Sequence, residues 1–249
     1  MNAILSRRRA AREGVGLVVT PNIDHVAQLR HNPAFRHAYA SAEIIFCDGF
    51  PVHYYALARG HRINRVTGCE LAKRLLDTPE LLFFHRLFFV VDSEKTARAV
   101  NEWADASRLC DQVVTHVPPF GFEADETWSA KLSDEIRDHS TTVLVMAVGA
   151  PRSEIFVNQQ RTSLPPCWAI CVGQAVKTVF GIVQRAPVFV RRLHAEWLWR
   201  ALQEPRRLVP RYMAASMGFV RGVFCDFWEP ASCEPSAGAS RRGPDPDHA

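Results

Sequence analysis

The stretch Ile44-Ile45-Phe46-Cys47-Asp48-Gly49-Phe50-Pro51-Val52 decides how this chain is read. The apolar run Ile44 to Phe46 predicts a short buried strand. Gly49 permits a sharp turn, and Pro51 suits the start of a helix. Asp48 is therefore expected at the carboxyl end of a strand, where a helix begins. In open α/β sheets that edge is where ligands bind. A carboxylate placed there can take a proton from a substrate hydroxyl as a general base. The plainer alternative is that Asp48 only caps the helix that follows it.

The same grammar extends in both directions. Upstream, Val15 to Val19 is an apolar run that predicts a strand. It runs into Thr20-Pro21-Asn22, and the residue before a proline is held extended, so Thr20 still belongs to the strand. Thr20 and Asn22 are two apart and share a direction over the sheet edge. Asn22 serves equally well as the N-cap of a helix from Ile23. Downstream, strands are predicted over 87–91, 113–117, 143–148 and 169–172. Helices are predicted over 51–59, 69–77, 93–107, 126–139 and 152–161. Regular alternation of this kind predicts an α/β fold, a mostly parallel Rossmann-like sheet with helices on both faces.

From Ala186-Pro187 the texture changes. Apolar residues recur at Phe189, Leu193, Trp197, Leu198 and Leu202 at helical spacing, with arginines between them. Arg185, Arg191, Arg192, Arg200, Arg206, Arg207, Arg211 and Arg221 face only two acids, Glu196 and Glu204, in that stretch. The expected organisation is a basic N-terminal segment over 1–14, an α/β core over 15–184, and a basic amphipathic helical arm over 185–230. A tail over 231–249, rich in Pro, Gly, Ser and charge, is expected to be disordered.

The bulk numbers bound the class. The 249 residues are 47% hydrophobic and 22% charged, which is ordinary globular composition. A net charge of +4 does not by itself imply nucleic acid. The basic residues sit beside Trp and Leu in no recognised nucleic-acid module, so nucleic acid is not expected as a partner. None of the seven cysteines forms a Cys-x-x-Cys pair, and the ten histidines show no ligand spacing, so no metal is expected. No signal-peptide pattern precedes Val15 and no apolar run would span a bilayer, which reads as a cytoplasmic protein with reduced thiols. There is no Gly-x-Gly-x-x-Gly and no Walker loop, which argues against an unrelated dinucleotide or P-loop fold.

The ordered set of motifs is more specific than any one of them. It comprises Val19-Thr20-Pro21-Asn22, Asp48-Gly49-Phe50-Pro51-Val52, Arg65-Val66-Thr67-Gly68-Cys69-Glu70-Leu71 and Val148-Gly149-Ala150-Pro151-Arg152. Val172-Gly173, Arg185-Ala186-Pro187 and the run from Glu196-Trp197-Leu198 to Glu204-Pro205-Arg206-Arg207 complete it. Over roughly Val15 to Phe219 this set resembles the WecG/TagA/CpsF glycosyltransferases, glycosyltransferase family 26. The resemblance implies metal-independent, inverting transfer of a sugar from a UDP-sugar, with no cofactor, to a polyprenyl-diphosphate-linked saccharide. It implies a peripheral site of action on the inner face of the plasma membrane, in polysaccharide biosynthesis. The aromatic Pro118 to Phe122 loop resembles exopolysaccharide (xanthan-like) members, which points to glucose among the sugars that relatives transfer. The resemblance assigns the catalytic base to Asp48 and acceptor or substrate binding to Thr20, Asn22 and Gly68. It assigns nucleotide binding to Gly149, Pro151, Gly173, Arg200, Arg207 and Arg211. The arm also suits docking on a membrane surface or, equally, packing on the sheet; homo-oligomerisation is left open.

Four departures from the family pattern stand out. The segment before Thr20 is short. Asp92-Ser93-Glu94 follows the third strand where relatives tend to have a glycine-rich turn. Ser153 replaces a glutamine, and Val172-Gly173-Gln174-Ala175-Val176-Lys177 replaces a pattern nearer Gly-Gly-Ala-Phe-Asp. Lys177 either adds positive charge for the diphosphate or is solvated. The departures support a second reading, a non-catalytic or weakened relative that binds nucleotide or membrane as a scaffold in a polysaccharide assembly complex.

Overall fold

The computed structural model describes residues 8–78, 84–184, 186–187, 189–190, 196–203 and 205–228, and not the side chains of 200, 207, 211 and 225–228. The proposed tail and Arg185 lie outside the described residues. Six strands form one all-parallel sheet. They are β1 (Gly16–Val19), β2 (Ile44–Ile45), β3 (Leu87–Val91), β4 (Val113–His116), β5 (Val143–Ala147) and β6 (Trp168–Cys171), in the spatial order β2-β1-β6-β5-β3-β4. The α/β reading of the sequence holds, and strand ends fall within a residue or so of the expected ones.

The helices, in chain order, are α1 (Ile23–Leu29), α2 (Pro33–Ala40), α3 (Phe50–Ala58), α4 (Gly68–Leu76), α5 (Glu94–Ala106) and α6 (Glu126–Asp138). They continue with α7 (Arg152–Gln159), α8 (Ala175–Val179), α9 (Glu196–Gln203) and α10 (Pro205–Trp228). The sheet is buried on both faces, and the period of two along each strand sorts its residues. Val18, Phe89, Val91, Val145 and Ile170 join α4, α5 and α8 in one core. Leu17, Val19, Phe88, Val90, Leu144 and Cys171 join α6 and α7 in the other. Tyr39 of α2 packs against that second core. The chain leaving β1 therefore goes to one face and the chain leaving β6 to the other. Neighbouring strands whose connections part in this way open a crevice at their carboxyl ends, which is the usual ligand site of such folds.

One strand is not what its composition predicts. Ile44 and Ile45 pair only with β1, at the edge of the sheet, and Ile45 is 57% exposed. The expected buried strand is an exposed edge, because apolar content does not tell an outer strand from an inner one. Short length is one way native sheets protect such an edge. Helix α8, between Gly173 and Gly181, is absent from the sequence reading; five residues are too few to show a helical period.

Candidate active site

The site is assembled from the loops that leave β1, β2, β5 and β6. After β2, the backbone continues alongside β1: Phe46 N donates to Val19 O and Asp48 N to Pro21 O, both at 2.9 Å. Cys47 bridges in parallel to Arg65, with Val66 N donating to Cys47 O at 3.0 Å. Asp48 is thus clamped between the Pro21 turn and the segment leading into α4. Gly49 follows at φ +132°, backbone that only glycine adopts readily, and packs on Asn22.

Asp48 is half-buried and directly precedes Gly49, the N-cap of α3. Its Oδ2 accepts the amide of Gly68 at 3.0 Å, twenty residues on, at the first position of α4. That fixes one carboxylate oxygen at a helix N-terminus, where negative charge is favoured. Gly68 also packs closely against the start of α8. A Cβ there would lie 3.4 Å from Val172 O and 3.5 Å from both Ala175 Cβ and Asp48 Oδ2.

The other expected site residues fall around the same crevice. Thr20 is buried, and its hydroxyl donates to Cys171 O at 3.1 Å, tying the carboxyl ends of β1 and β6 together. Asn22 is the N-cap of α1, accepting from Asp24 N at 2.9 Å and His25 N at 3.2 Å. The capping role weighed for it from sequence is therefore real, and it holds Asn22 against Gly49 beside Asp48. Gly173 and Gly149 end β6 and β5 and touch one another: a Cβ on Gly173 would lie 3.6 Å from Gly149 Cα. Pro151, joined to Ala150 by a cis peptide, opens α7.

Arg200 lies in α9, and Arg207 and Arg211 in α10; their side chains lie outside the described residues. The arm itself is brought to the site. Helix α10 packs along α1, with Gly218 against Ala27, and the rings of Phe219 and Tyr55 of α3 meet at 6.0 Å. Those are the two helices that start beside Asn22 and Asp48. Met213, Met217, Val220 and Phe224 form an exposed apolar stripe along α10. Among the described residues no helix is long and apolar enough to cross a membrane, and no three His, Cys, Asp or Glu side chains gather as metal ligands do.

Two features were not legible in advance. Lys177, partly exposed, is ion-paired: its Nζ lies 2.6 Å from Asp92 Oδ2. Two of the departures from the family pattern thus meet as one ion pair. Glu154, in the first turn of α7, is 1% exposed, and its Oε2 has no hydrogen-bond partner among the described residues. Burial pushes its carboxyl up to about 7. An acid in a first helical turn is ordinary in sequence, so only packing reveals that this one is enclosed.

A curated relative from Bacillus spizizenii, "N-acetylglucosaminyldiphosphoundecaprenol N-acetyl-beta-D-mannosaminyltransferase", is 26% identical over 210 residues, covering 80% of this chain and 77% of its own length. Residues 1–232, spanning the sheet, the Asp48 crevice and both arm helices, match one glycosyltransferase profile, and the chain belongs to the glycosyl transferase WecG/TagA/CpsF family.

Proposed function

We propose that this protein transfers a sugar, with inversion, from a UDP-sugar to a polyprenyl-diphosphate-linked saccharide, with Asp48 as general base. The observation that carries the reading is the Asp48 carboxylate on the ligand-binding edge, fixed through Oδ2 by the Gly68 amide at 3.0 Å. Direct displacement at an anomeric carbon needs one base to take the proton from the attacking hydroxyl. A base held in place by a backbone amide meets that hydroxyl without reorganising. The acceptor oxygen attacks, its proton passes to Asp48, and the bond to the diphosphate oxygen breaks.

The leaving UDP gains negative charge, which needs stabilisation. The glycines at 149 and 173 leave the backbone open to a diphosphate at the ends of β5 and β6. Arg200, Arg207 and Arg211 on the arm are assigned as its guanidinium partners, since these forks match phosphate oxygens. The reading takes them in place of a metal.

The named acceptor of the Bacillus relative carries undecaprenol, so the corresponding acceptor for this chain would be embedded in a bilayer. The α10 stripe of Met213, Met217, Val220 and Phe224, with exposed Arg206 and Arg221 on the same helix, suits an anionic lipid surface. The proposed place of action is the inner face of the plasma membrane.

The test is a transfer assay. The protein is incubated with UDP-glucose, UDP-N-acetylglucosamine or UDP-N-acetylmannosamine and a short-chain polyprenyl diphosphate carrying glucose or N-acetylglucosamine. UDP release that depends on both substrates supports the reading. No release above background with any pair rejects it.

A further inference from the structure

The β3 and β4 half of the same sheet edge lies beyond the site described above, and it is built from its own charged and aromatic groups. Val91 pairs with Ala147 in register, so Asp92 stands abreast of Val148, just short of Gly149. Asp92 is held through both oxygens. Oδ1 accepts from Ser93 Oγ at 3.4 Å and Thr96 Oγ1 at 3.3 Å, and Oδ2 meets Lys177 Nζ at 2.6 Å. Both side chains of the pair are 20% exposed. Lys177 sits in the last turn of the five-residue α8, and Asp92 anchors its ammonium from across the crevice. The ammonium has three N–H donors and no acceptor. Its pairing with Asp92 leaves donors for a ligand while cancelling its charge. Such a group suits neutral carbonyl and hydroxyl oxygens better than a diphosphate.

From the other face of the sheet, the loop after β4 presents Phe120, 91% exposed, with the Arg152 guanidinium 4.9 Å from its ring centroid. Arg152 is itself fixed by a bond to Val148 O. An exposed ring backed by a guanidinium is a stacking platform for a flat ligand.

Geometry orders these groups along the edge. Thr20, just past β1, and Asp92, just past β3, lie at strand ends three strand spacings apart, about 14 Å. An extended nucleoside diphosphate spans that distance. With the sugar at Asp48 and the diphosphate over Gly173 and Gly149, as proposed above, the nucleoside would extend toward the end of β3, where Asp92 holds Lys177, and the loop after β4 that carries Phe120. We propose that Lys177, oriented by Asp92, reads the nucleoside of the donor through oxygens of an acceptor-rich pyrimidine such as uracil, with Phe120 stacking on the base. Lys177 and Phe120 are thus specificity-determining residues, and Asp92 is a positioning residue. This deepens the donor-cleft reading and rests on it.

The experiment measures binding of UDP, ADP and inorganic pyrophosphate by calorimetry to the wild type, Lys177→Met, Phe120→Ala and Lys177→Arg, with thermal melting as a check on folding. The wild type is expected to bind UDP more tightly than ADP or pyrophosphate. Lys177→Met is expected to weaken UDP about tenfold, to narrow the UDP-to-ADP ratio, and to leave pyrophosphate within twofold. Phe120→Ala, at an exposed site, is expected to weaken UDP and ADP alike and spare pyrophosphate. If Lys177→Met does not fold, Lys177→Arg, which keeps the ion pair and displaces the donors, must change the UDP-to-ADP ratio. The inference is overturned if UDP affinity stays within twofold in Lys177→Met, if UDP and pyrophosphate fall together, or if the ratio is unchanged in a folded Lys177→Arg. Failure of the wild type to bind UDP at all would overturn the donor cleft itself, a separate and recognisable outcome.

Discussion

Replacing Glu154 by glutamine should make the protein more resistant to alkaline pH while leaving its acid-side stability unchanged. Glu154 is enclosed within reach of Tyr39 and Cys171, and Oε2 has no hydrogen-bond partner among the described residues. Desolvation raises its carboxyl from 4.5 to about 7, opposed only by its own backbone amide. Tyr39 feels the charges of both Glu154 and Asp48, so a neutral Glu154 spares this region a second negative group. Below pH 4.5 the carboxyl is protonated whether the chain is folded or not. Between about 4.5 and 7 the unfolded chain releases the proton and the folded one keeps it, so stability falls as pH rises through that window, then levels off. At about 1.4 kcal/mol per pH unit, the displacement sets a loss on the order of 3 kcal/mol between pH 4.5 and pH 7. For a chain of this size that corresponds to roughly 6–12 °C in melting temperature. The assay is the melting temperature of Glu154→Gln minus that of the wild type, at pH 5 and at pH 8. Other titrating groups cancel in the difference. The variant should gain on the wild type by several degrees more at pH 8 than at pH 5. An equal difference at the two pH values would refute the burial argument.

Gly49→Ala should cost about 1–3 kcal/mol in urea unfolding, because φ +132° is strained for any side chain; a neutral effect would show that this turn relaxes freely. Replacing Met213, Met217, Val220 and Phe224 together by serine should abolish co-flotation with vesicles containing anionic phospholipid while leaving the fold intact, since all four are exposed on α10. Undiminished flotation would remove that stripe from the membrane account.

The fold was legible because burial on both sheet faces leaves continuous apolar strands, and their alternation with capped helices admits few arrangements. Edge position was not legible: Ile44 and Ile45 have the composition of core residues and lie at the margin. The site was legible in its parts and not in its joints. Asp48 could be placed at a strand end from its own neighbours. That it binds the Gly68 amide depends on how the loop bridge from Cys47 to Arg65 brings α4 alongside. The same holds for Thr20, whose partner Cys171 is 151 residues away. Lys177 and Asp92 each read alone as unexplained exchanges and become intelligible only as a pair. The helical arm was visible as a change of texture, whereas its packing along α1 came from small residues, Ala27 and Gly218, that carry no distinctive signal.

The account stands most directly on sugar transfer by Asp48→Asn. Asparagine keeps the shape and can still accept the Gly68 amide through its carbonyl oxygen, but it cannot take a proton from the acceptor hydroxyl. Transfer to the soluble polyprenyl diphosphate glycoside should fall by about 10²–10⁴-fold, with UDP affinity and melting temperature close to wild type. A rate within a few-fold of wild type would contradict the assignment of Asp48 as the base.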